Sequence, residues 1–254
     1  MIRDAAAWKL AIILRAVVSE EVSGKKSVAI MFSGGLDSAI LAVIARKYCE
    51  PTLYTMGLEG SHDLEWAGEC AAILDMPWKG IITGDEGIKN ALGRVQSIHG
   101  MNNPRWMTTF VGFDIALGGI EEETVICGQG ADELFGGYQK YLIADDAEIR
   151  MKQDLDELRN LEFPAYQSMA LHFKKQLLAP YLDERFVRFA DTIGIEQKIG
   201  DRGNKIVLRD AAGLLGVPGM MANKPKKAMQ YGSGISKVIK RHLKHNGNRD
   251  QGPM

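Results

Sequence analysis

The sequence predicts an α/β fold, a doubly wound and mainly parallel sheet followed by a C-terminal helical portion. Two observations carry this. Short apolar runs, "SVAIMF" (27–32), "PTLYTMGL" (51–58), "WKGIIT" (78–83) and "ETVICG" (123–128), alternate with longer periodic segments, which is the pattern of βαβ units. "VAIMF" and "TVICG" are nearly continuous apolar stretches, as strands covered on both faces must be, so they belong at the centre of the sheet. From about residue 145 the strand signals stop, and amphipathic segments punctuated by Pro164 and Pro180 follow. The expected division is 1–144, an N-terminal helix plus the α/β core, and 145–254, a helical portion with a disordered tail from about 246.

The N-terminal "MIRDAAAWKLAIILRAVVSEEVSG" reads as an amphipathic helix, since Lys9 and Arg15 interrupt its apolar run and no cleavage site follows. Trp8, Ile12, Ile13 and Val17 are expected to face the core, and Arg3, Lys9 and Glu20 the solvent. The 31 basic and 32 acidic residues leave a formal net charge of -1, which removes the bulk electrostatic case for a nucleic-acid binder. A local basic stretch, "KVIKRHLKHNGNR" (237–249), remains. Cys49, Cys70 and Cys127 form no C-x-x-C pair, which argues against a zinc site and a disulfide framework and fits a reducing, cytoplasmic setting. The five histidines, His62, His99, His172, His242 and His245, show no metal spacing. Glycine-rich stretches at 84–105 and 232–234 are expected to be mobile.

In an open parallel sheet, ligands sit beyond the carboxyl ends of the strands. The first such loop is Ser33-Gly34-Gly35-Leu36-Asp37-Ser38. Backbone N–H groups, hydroxyl donors and a helix N-terminus make it an anion site; a plain turn with Asp37 as helix cap accounts for the same residues. It is neither a Walker A loop nor a G-x-G-x-x-G fingerprint. If phosphate binds there, Asp37 requires a cation between them, and magnesium is the usual one. A second carboxylate is then expected at another strand end. "ICGQGADELFGGY" (126–138) supplies Asp132, with Glu133 as its rival and helix capping as the alternative role.

"SGGLDS" resembles the pyrophosphate loop of the N-type ATP pyrophosphatases. "GQGADELFGGYQKY" resembles the second signature of the synthase domain shared by asparagine synthetases and β-lactam synthetases. "LLAPYLDERFVRFA" (177–190), "KIVLRDAAG" (205–213) and "KPKKAMQYGSG" (224–234) resemble further segments of that family, so the likeness runs through nearly the whole chain. It implies an adenine nucleotide alpha hydrolase-like fold and an ATP-dependent carbon-nitrogen ligase. Such an enzyme adenylylates a carboxylate, most simply aspartate, releases pyrophosphate, and transfers ammonia to the adenylate. ATP and magnesium are the implied cofactors.

On the matching positions, Ser33, Gly34, Gly35, Asp37 and Ser38 would hold pyrophosphate, and Asp37 and Asp132 would bind magnesium. Met56, Cys127 and Gly128 would neighbour adenine. Lys226, aligned through Gly232-Ser233-Gly234, would join Asp37 and Asp132 in catalysis, with Lys224 and Lys227 as rivals. Gln129 departs from the pattern, standing where asparagine synthetases commonly carry glutamate and β-lactam synthetase tyrosine. A neutral amide takes no proton from an attacking ammonium, so the second half-reaction is where the likeness carries least.

Arg185, Arg188 and Arg209 are candidates for a substrate carboxylate. The start "MIRDAA" implies a stand-alone synthase domain, supplied with free ammonia or served by a separate glutaminase subunit. A tRNA-modifying adenylylating enzyme of the pyrophosphate-loop class and a nucleotide-binding regulatory subunit without turnover are the alternatives. No membrane partner is expected, and a homo-oligomer is compatible with the sequence.

Overall fold

Five parallel strands in the order β3-β2-β1-β4-β5 form one sheet. The structure, a computed structural model, describes residues 2–98, 100, 104–223 and 232–247. The chain runs α1 (Ile2–Glu21), β1 (Ser27–Met31), α2 (Leu36–Ala45), β2 (Glu50–Leu58), α3 (His62–Leu74) and β3 (Trp78–Thr83). It continues through α4 (Asp85–Ser97), α5 (Pro104–Gly119), β4 (Thr124–Ile126), α6 (Ala131–Phe135), α7 (Gln139–Leu142) and α8 (Ala147–Glu157). A π-helical turn (Leu158–Glu162) leads to α9 (Phe163–His172) and β5 (Gln176–Leu178). Then follow α10 (Glu184–Asp191), α11 (Ile195–Lys198), α12 (Ile206–Leu215), α13 (Gly219–Ala222) and, as α14, Ile235–Gly247.

The order reverses direction at β1. The chain first steps through β2 to β3 on one side, then crosses to β4 and β5 on the other. A crevice opens where two neighbouring strands send their connections to opposite faces, here between β1 and β4. Period-two alternation assigns the faces. Val28, Ile30 and Ile126 pack with Leu14, Leu41 and Val207 on one side; Ala29, Val125 and Cys127 pack with Phe110, Val111 and Tyr166 on the other. Both central strands are covered twice, as their apolar runs require.

Two expectations change. Strand signals do not end near residue 145, because β5 pairs in parallel with β4 through Val125 and Leu177. Three residues are too few for alternation to register. The buried face of α1 is Ala7, Leu10, Ala11, Leu14, Val17 and Val18, while Trp8 and Ile12 are 55% and 60% exposed. Both sets fall at helical spacing, and the smaller alanines allow α1 to lie close on α12. The glycine-rich stretches carry structure in their described parts. α4 spans most of the first and buries Ile88, Ala91, Leu92 and Val95, and in the second Ser233 is fully buried and accepts from Leu58 N at 3.0 Å. The tail beyond residue 247 lies outside the described residues.

The C-terminal end of α1 carries a titration signature. Burial, reinforced by the nearby Asp183 carboxylate, pushes the Glu21 carboxyl up from 4.5 to about 7. An acid with a raised pKa in the folded state holds its proton more tightly there, so stability falls as pH rises from about 4.5 through about 7 and stays low above. Glu21→Gln is expected to flatten that fall and to gain roughly 3 kcal/mol at alkaline pH. Urea denaturation across the range checks it, and a variant that keeps the wild-type slope assigns the titration to another group.

Candidate active site

The loop after β1 folds into a tight cradle. Gly34 takes φ +65°, and a Cβ there would lie 2.6 Å from the Trp66 ring, so both conformation and space demand glycine. Trp66 Nε1 donates to the Gly34 carbonyl at 2.9 Å, pinning the loop to α3. Ser38 Oγ accepts from Ser33 N at 3.2 Å and lies 3.3 Å from Ser33 Oγ. Behind the loop, α2 has nine of its ten residues buried and directs its N-terminus at the crevice, the positive end of the helix dipole. Tyr181, fully buried, donates from its hydroxyl to the Asp37 carbonyl at 2.9 Å. The "APYLDERF" segment thus braces the loop from behind.

The loop after β4 brings Asp132 to the same place, and a lysine joins the two carboxylates. Lys205 Nζ lies 2.7 and 2.6 Å from Asp37 Oδ1 and Oδ2 and 2.7 Å from Asp132 Oδ1. Lys205 is only 3% exposed. Burial pulls its pKa below the ordinary lysine value, and Asp37 opposes that pull. Its backbone is left-handed, φ +54°, a conformation that costs a non-glycine residue on the order of 1 kcal/mol. Neighbouring bonds hold it there: Asn204 Nδ2 donates to Gly137 O at 2.8 Å, Lys205 N to Phe135 O at 3.1 Å, and Arg209 Nε to Asn204 O at 2.8 Å. Gly137 is required at this contact, since a Cβ would overlap both the Asp132 carboxylate and the Lys205 side chain.

A cavity of about 600 Å³ opens beside this cluster. Ser33, Asp37, Ser38, Met56, Cys127, Gly128, Gln129 and Asp132 all line it, so most residues singled out in the sequence share one wall. Gly34 and Gly35 shape the loop without lining the cavity. Lys226, with Lys224 and Lys227, lies outside the described residues. Of the arginines, Arg185 pairs with Asp183 and Glu20 on the surface and Arg188 sits 3.8 Å from Glu184. Arg209 is spent on Asn204 and the Ala222 carbonyl. None of the three lines the cavity.

Two features were not read from the sequence. Lys205 lay within a quoted motif, but its partners are distant in the chain. The opposite wall, from α8, the π-helical turn and α9, carries Asp154, Glu157 and Glu162 beside Tyr138 and Tyr166. π-helical turns of this kind often occur at functional sites.

Asp37 and Asp132 converge from two strand ends on one cation position, now held by the Lys205 ammonium. Hard carboxylate oxygens at such a point fit magnesium held jointly with phosphate and water. Among the described residues no cluster of three or more His, Cys, Asp or Glu side chains offers an all-protein metal site.

A family model described as asparagine synthase matches residues 9–178 and 167–251. A Methanocaldococcus jannaschii protein provisionally named asparagine synthetase (glutamine-hydrolyzing) 1 is 31% identical over 92% of this chain and 51% of its own length. Asparagine synthetase B (glutamine-hydrolyzing) of Escherichia coli is 26% identical over 82% of this chain and 41% of its own. The chain thus spans about half or less of the length of these relatives. Among solved structures, NMN synthetase from Francisella tularensis is 15% identical with a TM-score of 0.38, covering 90% of this chain and 76% of that one. NH3-dependent NAD synthetase from Campylobacter jejuni is also 15% identical, with a TM-score of 0.37 over 76% and 94%.

Removing the shared ammonium leaves two partly buried carboxylates facing each other. Lys205→Met is expected to lose roughly 3 kcal/mol of stability without divalent cations, the low end for a broken buried pair because both carboxylates keep some solvent contact. Magnesium should raise the melting temperature of this variant more than that of the wild type. Equal magnesium shifts in both proteins would remove the two carboxylates as its site.

Proposed function

The chain belongs to the asparagine synthase family, and on that premise we propose that it is an ATP-dependent ligase that adenylylates a carboxylate and passes ammonia to it. One observation carries this reading. The glycine-serine loop after β1 and the Asp132 turn after β4 meet at the reversal point of the sheet, around a shared cation position.

In this reading the β- and γ-phosphates lie on the loop, with the Ser33 and Ser38 hydroxyls and the N-terminus of α2 as donors. Adenine lies toward Met56, Cys127 and Gly128. A substrate carboxylate oxygen attacks the α-phosphorus, the bond to the bridging oxygen breaks, and negative charge moves onto the departing pyrophosphate. Lys205 supplies positive charge at that point. Asp37 and Asp132 would hold magnesium, which when bound neutralises further charge there. Ammonia then attacks the acyl carbon, the bond from that carbon to the AMP phosphate oxygen breaks, and the proton lost by nitrogen passes to the departing AMP phosphate or to water, leaving an amide. Gln129, on the cavity wall, orients the incoming nitrogen by hydrogen bonding and takes no proton.

The cysteines weigh against the tRNA-thiolating alternative. Burial pushes the Cys127 thiol up to about 12, raises Cys49 as well, and encloses Cys70 completely. Reactive thiols need the opposite environment.

The test supplies ATP, magnesium and a panel of carboxylates beginning with aspartate, with and without ammonium, and measures pyrophosphate, AMP and ADP. Carboxylate-dependent pyrophosphate with equivalent AMP is expected; ADP as product sinks the reading. Asp37→Asn should cut pyrophosphate release by about 100-fold or more. Lys226→Ala should leave ATP binding intact while cutting turnover, and equal loss of both would give Lys226 a binding role instead.

A further inference from the structure

Among the described residues Lys175, Lys198 and Lys205 are buried, and two of them have partners. Lys205 sits between Asp37 and Asp132, and Lys175 Nζ donates to the Glu122 carbonyl at 2.9 Å. Lys198, only 7% exposed, has neither a hydrogen bond nor an ion pair among the described residues. A buried ammonium without a partner is costly, so the neutral amine is favoured there.

The local packing accounts for this placement. Lys198 ends α11, whose Ile195 and Ile199 pack on the cluster formed by Tyr141, Ala147 and Met151. Residues three apart share a helix face, so Lys198 lies beside Ile195 on the packed side and its alkyl stem is covered with it. Its Nζ is not among the enclosed polar atoms, so a small reagent can reach the amine from solvent. The charged groups around it are Asp191 at the end of α10 and Glu148 and Lys152 of α8; burial outweighs the two carboxylates and draws its pKa below the ordinary lysine value.

A desolvated amine of this kind is a nucleophile at neutral pH, where solvated lysines are protonated. The two carboxylates outnumber Lys152, so the surroundings oppose an anionic acyl phosphate and admit a neutral acyl donor. We propose that Lys198 is an acylation site for small neutral thioesters. The amine nitrogen attacks the thioester carbonyl, an N–C bond forms and the C–S bond breaks. The proton released by nitrogen passes to the departing thiolate, leaving an amide and a free thiol. Lys198 does not line the cavity, and the site stands apart from the ligase reading. It nevertheless adjoins the Asp132 turn. Ile199, the next residue, abuts Gly136, where a Cβ would lie 2.3 Å from the isoleucine side chain, and Gly136 closes the helix that carries Asp132. Acylation thus removes a charge and adds bulk on the helix that backs this turn.

The test incubates the full chain with the acetyl thioester of N-acetylcysteamine, from mildly acidic to alkaline pH, and follows each lysine by mass spectrometry. At neutral pH Lys198 is expected to react about fivefold or more faster than the exposed Lys89 and Lys237. Its rate should also level off at lower pH than theirs. Acetyl phosphate, run in parallel, should show a smaller preference for Lys198, and in concentrated urea the advantage should vanish. Equal or slower labelling of Lys198 in the folded chain overturns the proposal. An advantage that persists in urea overturns it as well, since the local sequence and not the fold would be its cause. A preference for Lys198 as large with acetyl phosphate as with the thioester removes the neutral donor.

Discussion

The Lys205 ammonium between Asp37 and Asp132 is the contact on which the site depends. It ties together the loop after β1, the loop after β4 and the entry to α12. Two carboxylates at this spacing would repel each other in a partly dehydrated crevice, and one buried cation resolves that repulsion. Such a trio adds little net stability, because desolvation offsets much of the attraction. What it contributes is register: the carboxylates are held at one point before any ligand arrives. The surrounding structure accommodates that arrangement, with a left-handed backbone at Lys205, a Cβ-free neighbour at Gly137, and the Asn204 and Arg209 bonds that hold the turn.

The sheet explains why those loops meet. Only where β1 and β4 adjoin do consecutive connections leave toward opposite faces, so only there does a crevice open between loops. β5 then carries the chain back beside β4 and delivers Tyr181 to the rear of the phosphate loop. The later half of the chain thus supplies a brace for Asp37, a cation for both carboxylates, and the wall opposite the loop.

Local chemistry was legible in the sequence, and long-range pairing was not. The four strands of the first half, the Ser33–Ser38 loop and the Asp132 turn each announce themselves within about ten residues by apolar runs, glycine and carboxylate. Lys205 did not, because its partner Asp37 lies 168 residues away and a lysine before a helix looks the same solvated or buried. The face of α1 was misread for a different reason. Large side chains at Trp8 and Ile12 outweighed the alanines that let the helix approach the core, and close approach favours small residues. β5 was too short to alternate. Glu162 sits in a π-helical turn, a departure that 3.6-residue periodicity does not register, while Asp154 and Glu157 of α8 look like solvated helix charges until the fold brings them to the cavity.

The charges around the cavity have a consequence for ATP itself. A triphosphate entering this space meets the N-terminus of α2 and the Ser33 and Ser38 donors, with Lys205 buried behind Asp37 and Asp132, while Glu133, Glu157 and Glu162 also line the cavity. The carboxylates repel the phosphate chain and the loop attracts it, so the asymmetry fixes which way the nucleotide lies. The near-zero net charge of the whole chain conceals this, because global charge governs steering over tens of ångströms while orientation inside a pocket is set by groups within a few.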